Sequence, residues 1–458
     1  MAAGPDVVTE ALADIHRRLG ALDEGEPAAY IPELARARRE GFGLALVSMD
    51  GHRYQAGDAA EPFTLQSVSK PFVYALALAE LGLDEVGRWV GAEPSGEAFN
   101  AISLEQGTGR PSNAMINAGA IATTALVPGA TPAERFERIL AGLSAFAGRR
   151  LDVDAAVHAS EAATGDRNRA LAYLMRGAGS LACDPLAATD LYFRQCAVRA
   201  TAADLAVMAA TLGNGGVNPV TGERVVGERV AVQVLSVMAT CGMYDASGEW
   251  LLRVGLPAKS GVSGGLIAVS PARFGAACWS PPLDRSGNPV RGTAALRELS
   301  ERFGLHLMLS PAPAAPTVVA WPSAGTARRR GAFAVVAVQG ALDFTAAERV
   351  LFELERGTAG PVLLDLGRVT RLDTVARVMI TATLVRLAAG GRRVAVAGEV
   401  LPAPPDAPWE RLGPDGDGPD RAGAEGAGPD RAWAEGAGPD RAGADGADAD
   451  SAGPDTAR

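Results

Sequence analysis

Apolar and polar positions change period several times along the chain. FGLALVSM, Phe42 to Met49, is a nearly continuous apolar run that ends at Asp50-Gly51, a hairpin-turn signal, and HRYQAG leads back from it. Gly265 to Ser270 and Phe274 to Trp279, interrupted at Pro271, predict a second strand pair. Between the pairs the spacing predicts helices over Pro71 to Leu83, Thr131 to Ala147 and Ala202 to Leu212. Early and late strands around a helical middle predict an α+β domain over residues 1–310, with one antiparallel sheet and a helical lobe packed on it.

Prolines at 311, 313, 316 and 322 then predict a linker over 311–330. Residues 331–400 read strand, helix, strand, helix, strand, with the run Val362 to Leu366 apolar but for Asp365, as suits a buried central strand. This predicts a small α/β unit. Beyond it GPDRAGAEGA, GPDRAWAEGA and GPDRAGADGA start at Gly418, Gly428 and Gly438. Each copy has too little apolar surface to offset its ordering entropy, so 401–458 is expected to be a disordered acidic tail, its repeat interrupted by Trp433.

Composition narrows the function classes. The 458 residues are 48% hydrophobic and 21% charged, which fits a soluble globular chain of about three units. No apolar run approaches the roughly 18 residues of a membrane span. MAAGPDVVTE lacks the basic start and apolar stretch of a signal peptide, so a cytoplasmic location without membrane association is expected. Of the net charge of −10, the segment from Leu401 carries −8, which leaves a nearly neutral body with no basic surface for nucleic acid. Cys183, Cys196, Cys241 and Cys278 lie far apart, as do His16, His52, His158 and His306. Neither set has metal-ligand spacing; reduced thiols and no metal or other cofactor are expected.

Of the 43 basic residues, two are lysines, Lys70 and Lys259. Arginine stays protonated, whereas a buried lysine can lose its proton and act as a base. Lys70 lies in FTLQSVSKPF, three residues after Ser67 and ahead of an apolar helix closed by Gly82. On a helix this spacing puts hydroxyl and amine on one face, and the helix N-terminus favours an oxyanion. Alone, S-x-x-K usually means a Ser cap followed by a surface Lys. Lys259, however, lies in GLPAKSGVSGG just before a predicted strand, and an early S-x-x-K with a late K-S/T-G is the pairing of penicillin-recognising serine enzymes.

The wording around both lysines is more specific. YIPELA, QSVSKPF, NAMINAGAI, SEAATGDRNRA, LYFRQCAV, CGMYDASGEW and GLPAKSGVSGG, in this order, resemble the serine-dependent glutaminases over about Gly25 to His306. The resemblance implies a β-lactamase/transpeptidase-like fold and metal-free hydrolysis of L-glutamine to L-glutamate and ammonia through a γ-glutamyl-serine ester. It makes Ser67 the nucleophile, Lys70 its proton acceptor, Tyr244 a proton shuttle and substrate contact, and Tyr30 a second tyrosine near the serine. The oxyanion is expected between the backbone N–H groups of Ser67 and Val262. Asn117, Glu161, Asn168 and Tyr192 match substrate-binding positions, and residues 97–113 match a gating loop. Whether Lys70 or Tyr244 is the decisive base stays open, and so does side-chain length, glutamine against asparagine. A β-lactamase or carboxypeptidase shares the Ser–Lys chemistry, and a non-enzymatic regulator is a third alternative. The family's precedent implies a homo-oligomer, a dimer or tetramer.

The second unit, over about Thr317 to Glu399, resembles STAS domains, chiefly in DLGRVTRLDT, Asp365 to Thr374. That resemblance implies a protein partner or nucleotide. Thr374 matches the residue phosphorylated in regulated members, and an unmodified N-cap is the ordinary reading of it.

Overall fold

The computed structural model describes residues 6–96, 104–309, 318–320, 329–330, 332–356, 360–402 and 406–412. The expected strand pairs form one antiparallel five-stranded sheet. Its order is Arg53–Gly57, Gly43–Ser48, Phe274–Trp279, Gly265–Ser270, Ala258–Ser260, so the first and last parts of the domain meet in the centre of the sheet. Gly43–Ser48 lies against Phe274–Trp279 in the register Leu46↔Ala276.

Both faces of this sheet are covered, which is why its strands read as continuous apolar runs. Ala45 and Val47 enter one core with Leu205 and Met208, while Leu44 and Leu46 enter another with Leu12, Ile15, Leu296 and Leu299. The helix Ala202–Gly213 starts in a capping box, where the Thr201 and Asp204 side chains satisfy each other's backbone N–H. It approaches the sheet so closely that a Cβ at Gly275 would lie 2.1 Å from the Ala210 nitrogen, so only glycine fits there. The helices Asn117–Leu126, Pro132–Ala147, Asp166–Gly177 and Pro185–Cys196 build the lobe that carries most of the candidate site.

Later residues form a second sheet. Phe333–Leu342, Val362–Leu372, Val394–Ala397 and Glu410–Leu412 pair in parallel, with helices Phe344–Arg356 and Thr374–Ala389 between the strands. The strand–helix–strand–helix–strand order is the one the sequence pattern predicts. Two details differ. Val318–Ala320 and Arg329–Arg330, within the expected linker, are strands paired to Phe333–Leu342; two of the first three are valines, which favour strands. Glu410–Leu412, at the start of the expected tail, is also a strand, while the repeats from Gly418 and Trp433 lie outside the described residues. Thr374 is the first residue of its helix, not its cap: the extended residue before it is Asp373, which pairs with Arg371 at 2.9 Å.

The two sheets share a core. Phe344 packs on Phe274 and Phe303 with ring centroids 5.3 and 5.1 Å apart, and the Tyr54 hydroxyl donates to Glu348 Oε1 at 2.6 Å. Among the described residues no helix is long and apolar enough to cross a membrane.

Candidate active site

A short strand, Phe63–Thr64, delivers the chain into a 3₁₀ turn, Gln66–Ser69, which runs into the helix Lys70–Gly87. Pro71 lies in the first turn, where its missing N–H costs nothing. The helix kinks at Gly82, φ +78°, the position at which the pattern predicts its end. Ser67 thus sits in the tighter turn that precedes the α-helix. Gln66, just before it, has φ +48°, a left-handed conformation that costs a non-glycine residue about 1–3 kcal/mol and concentrates at functional sites.

Lys70 is fully enclosed. Its amine donates to Met115 O at 3.2 Å and to Asn117 Oδ1 at 2.7 Å, and it lies 5.9 Å from the centre of the Tyr192 ring. Burial lowers its pKa from the ordinary lysine range to about 8. Lys259 is buried as well, and its pKa is driven well down, by burial and then by the charge of Lys70. Lys259 donates to Ser260 O at 2.5 Å and lies 4.0 Å from the centre of the Tyr244 ring.

Tyr244 is the second strained residue, with φ +57°. Its hydroxyl lies 3.3 Å from Ser260 O as donor, and its side chain is hydrogen-bonded to that of Ser67. Burial raises its pKa, which keeps the phenol protonated. The backbone of the Lys-Ser-Gly motif closes the other side: a Cβ at Gly261 would lie 3.1 Å from Leu65 O and 3.2 Å from Val68 N. That close approach sets Val262, the next residue, beside the Ser67 turn.

The remaining candidates form a polar wall. Asn117 Oδ1 also accepts from the Tyr192 hydroxyl at 3.2 Å, and Asn117 Nδ2 donates to Asn168 Oδ1 at 3.0 Å. Tyr30 is half-exposed, but its hydroxyl points inward and donates to Glu161 Oε1 at 2.7 Å. It also lies 3.5 Å from Gln66 Oε1. Burial raises the pKa of Glu161; burial and then the Glu161 charge raise that of Tyr30. Eight of the nine predicted residues are therefore linked by side-chain hydrogen bonds into three groups: Ser67 with Tyr244; Lys70, Asn117, Asn168 and Tyr192 together; and Tyr30 with Glu161. Val262, the ninth, follows Gly261 in the segment that packs on the Ser67 turn.

Gln66 belongs to this site, although the sequence reading passes over it; its position beside the serine was the available signal. Tyr244 also lines a cavity of about 310 Å³ with Asn113, Ile116, Ser247 and Leu251. Of the expected gating loop, residues 97–103 lie outside the described residues, and Arg110 pairs with Glu105 at 2.8 Å in the described part. A trio elsewhere, Asp50, His52 and Glu348, gathers ligand-type atoms within 4.8 Å, at the far edge of the sheet from Lys259. Its groups already have partners: Arg349 on Asp50, Tyr54 on Glu348 and the Phe352 ring stacked on His52. That does not make the donor set of a metal centre.

Residues 25–308 match the sequence pattern of the glutaminase family. Glutaminase 2 of Bradyrhizobium diazoefficiens is 46% identical over 393 residues, 82% of this chain, which spans 63% of that protein's length. The crystal structure of Mglu in its native form is 43% identical with a TM-score of 0.66, covering 86% of this chain and 99% of that one. A probable glutaminase from Bacillus subtilis, complexed with 6-diazo-5-oxo-L-norleucine, is 30% identical with a TM-score of 0.61, covering 67% and 98%.

Proposed function

The chain belongs to the glutaminase family, whose members hydrolyse an amide, and we propose that it converts L-glutamine to L-glutamate and ammonia through a γ-glutamyl ester on Ser67. The observation that carries this reading is the Ser67–Tyr244 hydrogen bond beside a buried Lys70 of lowered pKa.

Ser67 Oγ attacks the side-chain carbonyl carbon, and its proton leaves through Tyr244 to Lys70, which is available as neutral amine near pH 8. The oxyanion accepts from the N–H groups of Ser67 and Val262; one such donor contributes about 3–4 kcal/mol to lowering the barrier. Tyr244, held protonated by burial, then gives its proton to the departing nitrogen, and ammonia leaves. Water attacks the ester, Tyr244 takes the proton of that water, and Ser67 recovers its own as glutamate is released. Glu161 pairs with the substrate ammonium, and the Asn117, Asn168 and Tyr192 donors serve the α-carboxylate. Tyr30, on Glu161, holds that carboxylate in place. A site that engages both charged ends of free glutamine discriminates against amides in proteins, because its buried groups would be left unpaired. No cofactor enters any step.

The same proposal takes residues 1–310 as a β-lactamase-like catalytic domain, 331–400 as a STAS-like unit joined through 311–330, and 401–458 as an acidic tail. DLGRVTRLDT supports the STAS-like reading, and with it a protein partner; the assembly is a homo-oligomer. The test is ammonia release from L-glutamine by the purified chain beside Ser67→Ala, with L-asparagine and nitrocefin in parallel. Glutamine turnover lost in Ser67→Ala is expected. Turnover retained by that variant overturns the covalent mechanism, and a preference for asparagine or nitrocefin overturns the substrate.

A further inference from the structure

Beside the Ser67 turn lies a chain of polar side chains that the catalytic scheme does not use. Thr124, Gln195 and Ser69 are all fully buried. The Thr124 hydroxyl lies 2.7 Å from Gln195 Oε1, Gln195 Nε2 donates to Ser69 Oγ at 2.9 Å, and Ser69 Oγ donates to the carbonyl of Gln66 at 2.6 Å. The Ser69 and Gln195 links have a defined direction, while the Thr124 hydroxyl also lies 2.7 Å from Ala120 O. Ser69 spends its one proton on Gln66 O, so it can only accept from Gln195, and the amide of Gln195 is thereby oriented with its oxygen towards Thr124.

The chain ends on the residue whose backbone is strained. Gln66, φ +48°, precedes Ser67, and a left-handed residue in a turn stays so only where its surroundings over-determine it. The carbonyl of Gln66 points to where Ser69 can hold it. The other links sit on two helices that also carry site residues: Thr124 shares Asn117–Leu126 with Asn117, and Gln195 shares Pro185–Cys196 with Tyr192. A buried polar network is tolerated only when its members are satisfied, and a satisfied one fixes a single geometry.

We propose that Gln195, acting through Ser69, is a positioning residue that holds the Gln66–Ser67 turn in its strained form and locks its register to the helices bearing Asn117 and Tyr192. It touches no substrate. The proposal rests on the reading of Ser67 as the nucleophile and goes beyond it in naming what sets that serine's orientation.

The variants are Gln195→Met, close in volume but without the amide, Ser69→Ala, the double variant, and Ser69→Thr, which keeps the hydroxyl. For a nucleophile moved by a fraction of an ångström, kcat on L-glutamine is expected to fall on the order of 10- to 100-fold, with KM within about threefold. Because the links act in series, the double variant should be no slower than the worse single one. Ser69→Thr should restore most of the rate. Hydrogen exchange should rise at the amides of 66–69, with thermal midpoints within a few degrees of the parent, which separates displacement from unfolding. Variants whose kcat stays near the parent's, a loss confined to KM, or additive losses in the double variant overturn the positioning role while leaving Ser67 catalysis standing. A parent protein inert towards glutamine overturns the catalytic reading first, and this role falls with it.

Discussion

The side-chain oxygen of Asn117 stands 2.7 Å from the amine of Lys70 and accepts a hydrogen from it. With Met115 O as the second acceptor at 3.2 Å, both N–H groups of a neutral Lys70 are occupied and its lone pair is left for the proton released by Ser67. The two contacts therefore orient the amine as a base. The ordinary lysine pKa is too high for that, and the desolvation of a sealed pocket brings it to about 8.

A base of this kind works only when deprotonated. The expected pH profile of kcat/KM on L-glutamine rises about tenfold per pH unit up to about 8 and levels above it. Steady-state rates from pH 6 to 10 check it. A flat profile through this range removes Lys70 as the base. Lys70→Arg should be inactive at every pH in the range, since guanidinium keeps its proton.

Asn117→Asp moves the same limb. A carboxylate in contact with the ammonium favours its charged form, by about 1–3 pKa units for opposite charges at this separation. The activity lost on the substrate-binding side lowers the whole profile, but the midpoint should shift in the alkaline direction by about a unit or more. A lowered profile with its midpoint unmoved would mean that Lys70 is not the titrating group.

Much of this arrangement is legible in the sequence because it is local. Ser67 and Lys70 are three residues apart, Gly82 marks the helix kink, and the strands 265–270 and 274–279 are bounded by a Pro and polar residues. What escapes is what distant parts of the chain impose on each other. Tyr30 and Glu161 meet across 131 positions, and Gln195 reaches Ser69 across 126. Neither residue carries a local pattern that says so. The left-handed Gln66 is equally hidden, since glutamine has no preference for that conformation and tertiary contacts enforce it. Composition points to two lysines with work to do but not to the depth at which each is buried, which lowers both pKa values. The proline-marked segment misleads for a related reason, because a strand at a sheet edge needs few residues and tolerates nearby prolines.

Glu161 offers a separation of binding from chemistry. It is 5% exposed and holds Tyr30, so Glu161→Gln keeps the shape and the hydrogen bond while removing the charge that faces the substrate ammonium. A charge-assisted hydrogen bond contributes about 1.5–3 kcal/mol, so KM should rise roughly 10- to 100-fold with kcat changed far less. Tyr30→Phe should give a smaller rise of the same kind. A kcat collapse in Glu161→Gln with KM unaltered would place Glu161 in the chemical steps instead.

The contact between the two sheets has its own pH dependence. Glu348 is 1% exposed, and burial raises its carboxyl from 4.5 to about 7, outweighing the Tyr54 hydrogen bond that favours the ionised form. A carboxyl whose pKa is raised in the folded state stabilises the fold fully below the unfolded value and loses that contribution as pH rises through the folded one. Between pH 4.5 and 7 the protein should lose about 3 kcal/mol from this group, with no further loss from it above. Glu348→Gln removes the ionisation and still offers Tyr54 an oxygen. Its stability in urea should match the parent's near pH 5 and exceed it by up to this amount at pH 8. A parent–variant difference independent of pH would show that Glu348 does not ionise between the sheets over this range.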